Sequence, residues 1–211
     1  MKKMYKAMLL VLCAVLLVAG SVMGTLAYLK AQTGTVTNAM TVGKVEITLD
    51  EAKVNVYGEK LAKDDSVWET GKELADRVAD GNKYKLIPGH TYTKDPIVTV
   101  KANSEACYLF VKVENGIAAI EDSANTIASQ IEANGWTQLE GNIYYREINV
   151  ATAIAGHSYP VFGTFKVSSA ATADTLKTYA DATINITAYA VQADGFGSAE
   201  AAWDASGFGG Q

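Results

Sequence analysis

The sequence predicts an all-β protein, an antiparallel sandwich with short helices inserted in its connections and an N-terminal signal helix in front. Three observations predict it. Six or more short segments alternate apolar and polar residues with the period of two that a half-buried antiparallel strand requires. Segments of helical period are short, lie between strands, and never build the strand–helix–strand rhythm of a parallel sheet. With 27 residues set aside as a signal, about 184 of the 211 remain, enough for one domain with a sizeable core.

Residues 1–27 read as a secretory signal peptide. Lys2, Lys3 and Lys6 form a positive start, an apolar run extends from Ala7 to Gly24, and small residues close it. Thr25 and Ala27 occupy the −3 and −1 positions of a cleavage that would make Tyr28 the new N-terminus. The competing reading is an uncleaved signal anchor, because Ala7–Leu29 holds 23 residues without a charge, enough to cross about 30 Å of hydrocarbon. The lysines keep the N-terminus cytoplasmic in either case. Membrane contact is expected only through the uncleaved precursor. Cys13 lies inside the apolar run and not after it, which argues against a lipoprotein.

Residues 28–39 form an extended, Thr- and Gly-rich arm whose large apolar side chains are Tyr28, Leu29 and Val36. The sandwich domain is placed at 40–193. Its first strand has Val45, Ile47 and Leu49 on one face and Lys44, Glu46 and Thr48 on the other. Residues Glu51–Lys85 are polar and read as a long loop, with a short helix expected around Lys72–Ala79. Pro88-Gly89 makes a turn, and Pro96 opens a strand, Ile97–Lys101, where its missing N–H does least harm. Asn103-Ser104 turns the chain into Cys107–Val113. A helix capped by Asp122 or Ser123 follows, with Ala124, Ile127, Ala128 and Ile131 as its stripe and Asn134-Gly135 as its stop.

Ile143–Val150 and Tyr159–Val167 read as strands, Thr172–Ala180 as a second short helix, and Thr183–Ala193 as the last strand. Ile184, Ile186 and Ala188 there alternate with Asn185, Thr187 and Tyr189. The remainder, 194–211, is a helical turn over Ser198–Ala205 and a Gly-rich tail expected to fray.

Charge and composition exclude several functions. Removing the three signal lysines leaves 15 Lys/Arg (18 less 3) against 23 Asp/Glu, a net charge near −8. An acidic chain without a basic run is a poor partner for nucleic acid. Once Cys13 leaves with the signal, Cys107 is the remaining cysteine, so the mature chain has no intramolecular disulfide. Alternation puts Cys107 with Leu109, Val111 and Val113 on one strand face, a small core residue and not a reactive thiol.

Catalytic patterns do not emerge. His90 and His157 sit beside turn residues and form no H-E-x-x-H pair for zinc, so they read as solvated loop histidines. There is no G-x-S-x-G, no phosphate-cradling loop and no EF-hand spacing. The carboxylate pairs Asp50-Glu51, Asp64-Asp65 and Glu121-Asp122 are sequence neighbours whose side chains diverge, and they read as solvated surface. No catalytic, metal or cofactor residue is assigned, and no cofactor is expected.

The junction GTLAYL followed by MTVGKVEITLDE resembles the TasA/camelysin (CalY-like) family of Gram-positive surface proteins. KLIPGHTYTKDPIVTVKANSEACYLFVKVEN (Lys85–Asn115) is similar to that family's L-x-P-G-x-x-x-x-K-D segment and the strand after it. ITAYAVQADGF (Ile186–Phe196) resembles its closing strand, whereas Gly116–Thr183 matches by strand rhythm alone. The resemblance implies a jelly-roll-type sandwich, a choice over an immunoglobulin-like one that periodicity does not make. It also implies processing by a dedicated signal peptidase and assembly of copies into surface or biofilm-matrix fibres through exchange of the N-terminal strand, other matrix proteins being further partners. A surface metallopeptidase, a label some camelysins carry, and a monomeric envelope adhesin are the alternative readings.

Overall fold

The computed structural model describes residues 2–28 and 43–210. They belong to two separate units, divided between Thr41 and Val42. In the first, α1 (Lys2–Tyr28) is one helix of 27 residues whose last turns hold Thr25, Ala27 and Tyr28. Its side chains are described from Lys3 to Leu17, and within the described set no helix is long and apolar enough to cross a membrane. The uncharged run Ala7–Leu29 extends past that set. Leu29, Val36 and the rest of the arm to Ala39 lie outside the described residues.

The second unit is mostly β-sheet with a few short helices. Its strands are β1 (Ile47–Asp50), β2 (Thr91–Thr93), β3 (Ile97–Val100), β4 (Cys107–Asn115), β5 (Thr137–Glu140), β6 (Ile143–Ile148), β7 (His157–Pro160), β8 (Thr164–Lys166) and β9 (Ile184–Gln192). Its helices are α2 (Ile127–Ala133), α3 (Val150–Ala155), α4 (Ala173–Thr178) and α5 (Ala199–Ser206), with 3-10 turns at Ala118–Ile120 and Phe208–Gly210. Three antiparallel sheets result, ordered β1-β3-β7, β2-β8 and β5-β6-β4-β9.

One core joins the three sheets. Val98, Val100 and Tyr159 come from the first, Tyr92 and Phe165 from the second, and Cys107, Leu109, Val111 and Val113 from the third. The alternation read in β4 therefore holds, but its other face is buried too. Tyr108 and Phe110 pack with Ile143, Ala199, Ala202 and Trp203 in a second cluster on the far side of the sheet. A strand buried on both faces reads as a nearly continuous apolar run, and Cys-Tyr-Leu-Phe-Val is one.

The second cluster corrects the expectation of a frayed tail. Ser198 Oγ accepts the Ala201 N–H at 3.2 Å and starts α5, and Gly207 in the left-handed region ends it. Trp203 lies 5.0 Å from the Phe110 ring, and Phe208 stacks on Tyr189 at 4.6 Å. The tail folds back because its aromatic residues cover a sheet face that would otherwise stand in water.

Other boundaries move for local reasons. Thr126, not Asp122 or Ser123, caps α2, its hydroxyl accepting the Ser129 N–H at 3.1 Å. Asp122 is instead engaged by Lys166 Nζ at 2.8 Å and by the Ala124 N–H. Ile127 and Ile131 are buried as the stripe requires, whereas Ala124 precedes the helix and Ala128 is exposed. The strand expected over Ile143–Val150 stops at Ile148, because Asn149 caps α3 through the Thr152 N–H. Tyr159–Val167 splits after Pro160 into β7 and β8, which belong to different sheets. The helix expected near Lys72–Ala79 does not form, and that stretch instead bridges back, Leu74 to Ala62 and Val78 to Glu51.

Candidate functional site

The two larger sheets have edge strands that lie next to each other, β1 and β9. Among the described residues β1 pairs with β3 alone and β9 with β4 alone, so each presents an open edge. Both edges are aliphatic on the inward side. Val45, Ile47 and Leu49 line one; Ile184, Ile186, Ala188 and Ala190 line the other, all packed on the core yet only partly buried. Between them opens a cleft of about 180 Å³ bounded by Leu49, Pro96, Ile184 and Ile186 and, on the side of the long loop, by residues 78–81, whose Val78 bridges Glu51 just past β1. Unpaired N–H and C=O groups beside partly buried aliphatic side chains suit an added strand.

One end of the cleft carries a polar cluster that the sequence reading missed. Glu51 and Lys94 are 5% and 6% exposed, and Lys94 Nζ donates to Glu51 Oε2 at 2.7 Å. Asn82 Nδ2 donates to the other carboxylate oxygen, Oε1, at 2.7 Å and to the Ala52 carbonyl at 2.9 Å. The Val54 N–H in turn donates to Asn82 Oδ1 at 3.0 Å. Tyr84 stands beside this group, its hydroxyl donating to the Thr93 carbonyl at 3.0 Å, and burial together with the Glu51 and Asp95 charges pushes its pKa strongly upward. A signal was present: Glu51 continues the period Val45, Ile47, Leu49, and Lys94 lies two residues after the buried Tyr92.

Asp50 and Glu51 do diverge as expected, but Glu51 is not solvated. Asp50 points outward to Arg77, which also donates to the Asp95 carbonyl at 2.6 Å, while Lys60 Nζ reaches Asp95 Oδ2 at 3.1 Å. These contacts tie the long loop to the start of β3. Asp64 and Asp65 are exposed and pair with Lys72 and Lys53. Glu121 is half-buried; burial raises its carboxyl, and it accepts the Ile127 N–H at 2.7 Å.

The histidines are apart. His90 is half-buried with Nε2 2.8 Å from the Tyr57 carbonyl, and His157 is exposed at the start of β7. Among the described residues no group of three His, Cys, Asp or Glu is placed to hold a metal ion. Cys107 is fully buried, and desolvation pushes its thiol up to about 11. No protein-family model, curated protein or solved structure matches the chain.

Proposed function

We propose that the chain is a secreted structural subunit that assembles into cell-surface or biofilm-matrix fibres, built on a jelly-roll-type sandwich of the TasA/camelysin kind. The observation that carries this reading is the open, aliphatic side between β1 and β9. A strand from another copy finds backbone partners there and covers Leu49, Ile184 and Ile186.

The donor in this reading is the arm Tyr28–Ala39, released when a dedicated signal peptidase cuts after Ala27. Twelve residues at about 3.3 Å each extend close to 40 Å, enough to reach a neighbouring domain. Tyr28, Leu29 and Val36 are its large apolar side chains, so ladder hydrogen bonds of about 0.5–1.5 kcal/mol each supply most of the affinity. The test compares mature protein starting at Tyr28 with protein starting at Met40, by electron microscopy after concentration. The longer chain is expected to form filaments and the shorter one to stay monomeric. Filaments of the same kind from folded Met40 protein overturn strand exchange through the arm.

A further inference from the structure

We propose that Lys94 and Asn82 become joined by an intramolecular amide bond, with Glu51 as the proton carrier. The three side chains stand together in a way that ordinary ion pairing does not demand. An amine and a carboxamide occupy the two oxygens of one buried carboxylate, each at 2.7 Å. The carboxamide is held by two further bonds, to the Ala52 carbonyl and from the Val54 N–H. Its orientation is therefore set before any reaction, and preorganisation of this kind is what lowers an intramolecular barrier.

The chemistry closes without an outside reagent. One proton passes from Lys94 Nζ to Glu51 along their hydrogen bond, giving an uncharged amine and a carboxylic acid with no change in the net charge of the site. Nζ attacks Cγ of Asn82. The Val54 N–H already donates to Oδ1 and stabilises the negative charge that gathers there, as an oxyanion donor does. Glu51 hands its proton to the departing Nδ2 and takes one from Nζ, the Cγ–Nδ2 bond breaks, and ammonia leaves. An amine and a primary amide become a secondary amide and ammonia; Glu51 ends protonated, and nothing is oxidised or reduced. The product removes two buried charges, whose desolvation the ion pair otherwise has to offset. The cleft bounded by Leu49, Lys94 and Ile184 gives ammonia a way out.

The bond would tie the end of the long loop to the residue after β2, in a chain whose buried cysteine, Cys107, has no disulfide partner among the described residues. Denatured intact-mass measurement of the secreted chain tests it. The protein is expected to be lighter than its sequence by one ammonia. Tryptic digestion is expected to yield a branched peptide joining Val78–Lys83 to Leu86–Lys101, since a Lys94 in amide linkage is not cleaved. Lys94→Arg and Asn82→Ala should restore the full mass, and both are read on denatured protein, whether or not the variant folds. Glu51→Gln should remain unlinked, and Glu51→Asp should link more slowly than wild type. Wild-type protein at full sequence mass after prolonged incubation overturns the proposal. So does an ammonia loss that persists in Lys94→Arg, which would mark a succinimide at Asn82. Linking at the wild-type rate in Glu51→Asp and Glu51→Gln would overturn the role of Glu51.

Discussion

Trp203→Ala separates a structural C-terminal tail from an ornamental one. The ring is 3% exposed and sits 5.0 Å from Phe110, 5.6 Å from Tyr189 and 6.0 Å from Phe208. Truncating a buried Trp costs about 3–5 kcal/mol, from lost burial and the cavity left behind. The upper half of that range applies if the sheet face under α5 cannot collapse, and Tyr108 and Phe110 belong to a ladder paired on both sides. Against a domain stability of about 5–15 kcal/mol, such a loss moves the unfolding midpoint far. Urea titration followed by far-UV circular dichroism measures it without relying on the fluorescence of the deleted ring. Phe208→Ala, at a partly buried position, should cost less. A Trp203→Ala loss below about 1 kcal/mol would refute the reasoning, because it would mean that α5 is detached in solution and that Tyr108 and Phe110 tolerate water.

Other expectations follow from single positions. N-terminal sequencing of secreted protein should begin Tyr28-Leu29-Lys30; an intact Met1 on membrane-bound protein would establish the anchor instead. Cys107→Ser should cost about 1–3 kcal/mol by placing a hydroxyl in the core, and native wild type should resist thiol reagents until unfolded. Because burial raises the Cys107 thiol from 9.0 to about 11, the unfolded chain ionises first. Its contribution is thus intact below about pH 9 and lost between there and about pH 11, so wild type should lose more stability than Cys107→Ala across that window. Gly58→Ala should destabilise the loop junction, because a Cβ there meets the Tyr92 Cα at 2.7 Å with φ at +76°; unchanged urea unfolding would contradict that packing.

Much of the β architecture was legible because period two is a local property. Val45, Ile47 and Leu49, the set Cys107, Leu109, Val111 and Val113 of β4, and Ile184, Ile186 and Ala188 all face the core as their spacing implies. What escaped detection depends on distant partners. The break between β7 and β8 follows from which strands they join, β3 and β2, and neither is adjacent in sequence. The burial of Tyr108, Phe110 and Tyr189 on the second face needs α5, which lies far along the chain. Glu51 read as a surface charge because its burial depends on Lys94 and Asn82, both distant in sequence. The small-residue pattern at Thr25 and Ala27 was visible in the sequence as a motif, whereas the cleft between β1 and β9 exists only once the sheets are built.

The position of β4 in its sheet has a kinetic consequence. Its neighbours are β6 and, with β5 to β8 intervening in the sequence, β9, so each of its nine residues finds one ladder partner near the C-terminus. A polypeptide emerging from a ribosome or a narrow channel cannot complete this sheet until residues 184–192 have followed, nor cover its outer face until Trp203 arrives. Sheets closed by such long-range pairings form slowly, on the millisecond-to-second scale. β4 thus has β6 beside it before β9 is made, while its second edge and its outer face wait for β9 and α5. Completion is deferred to the moment the far end is free.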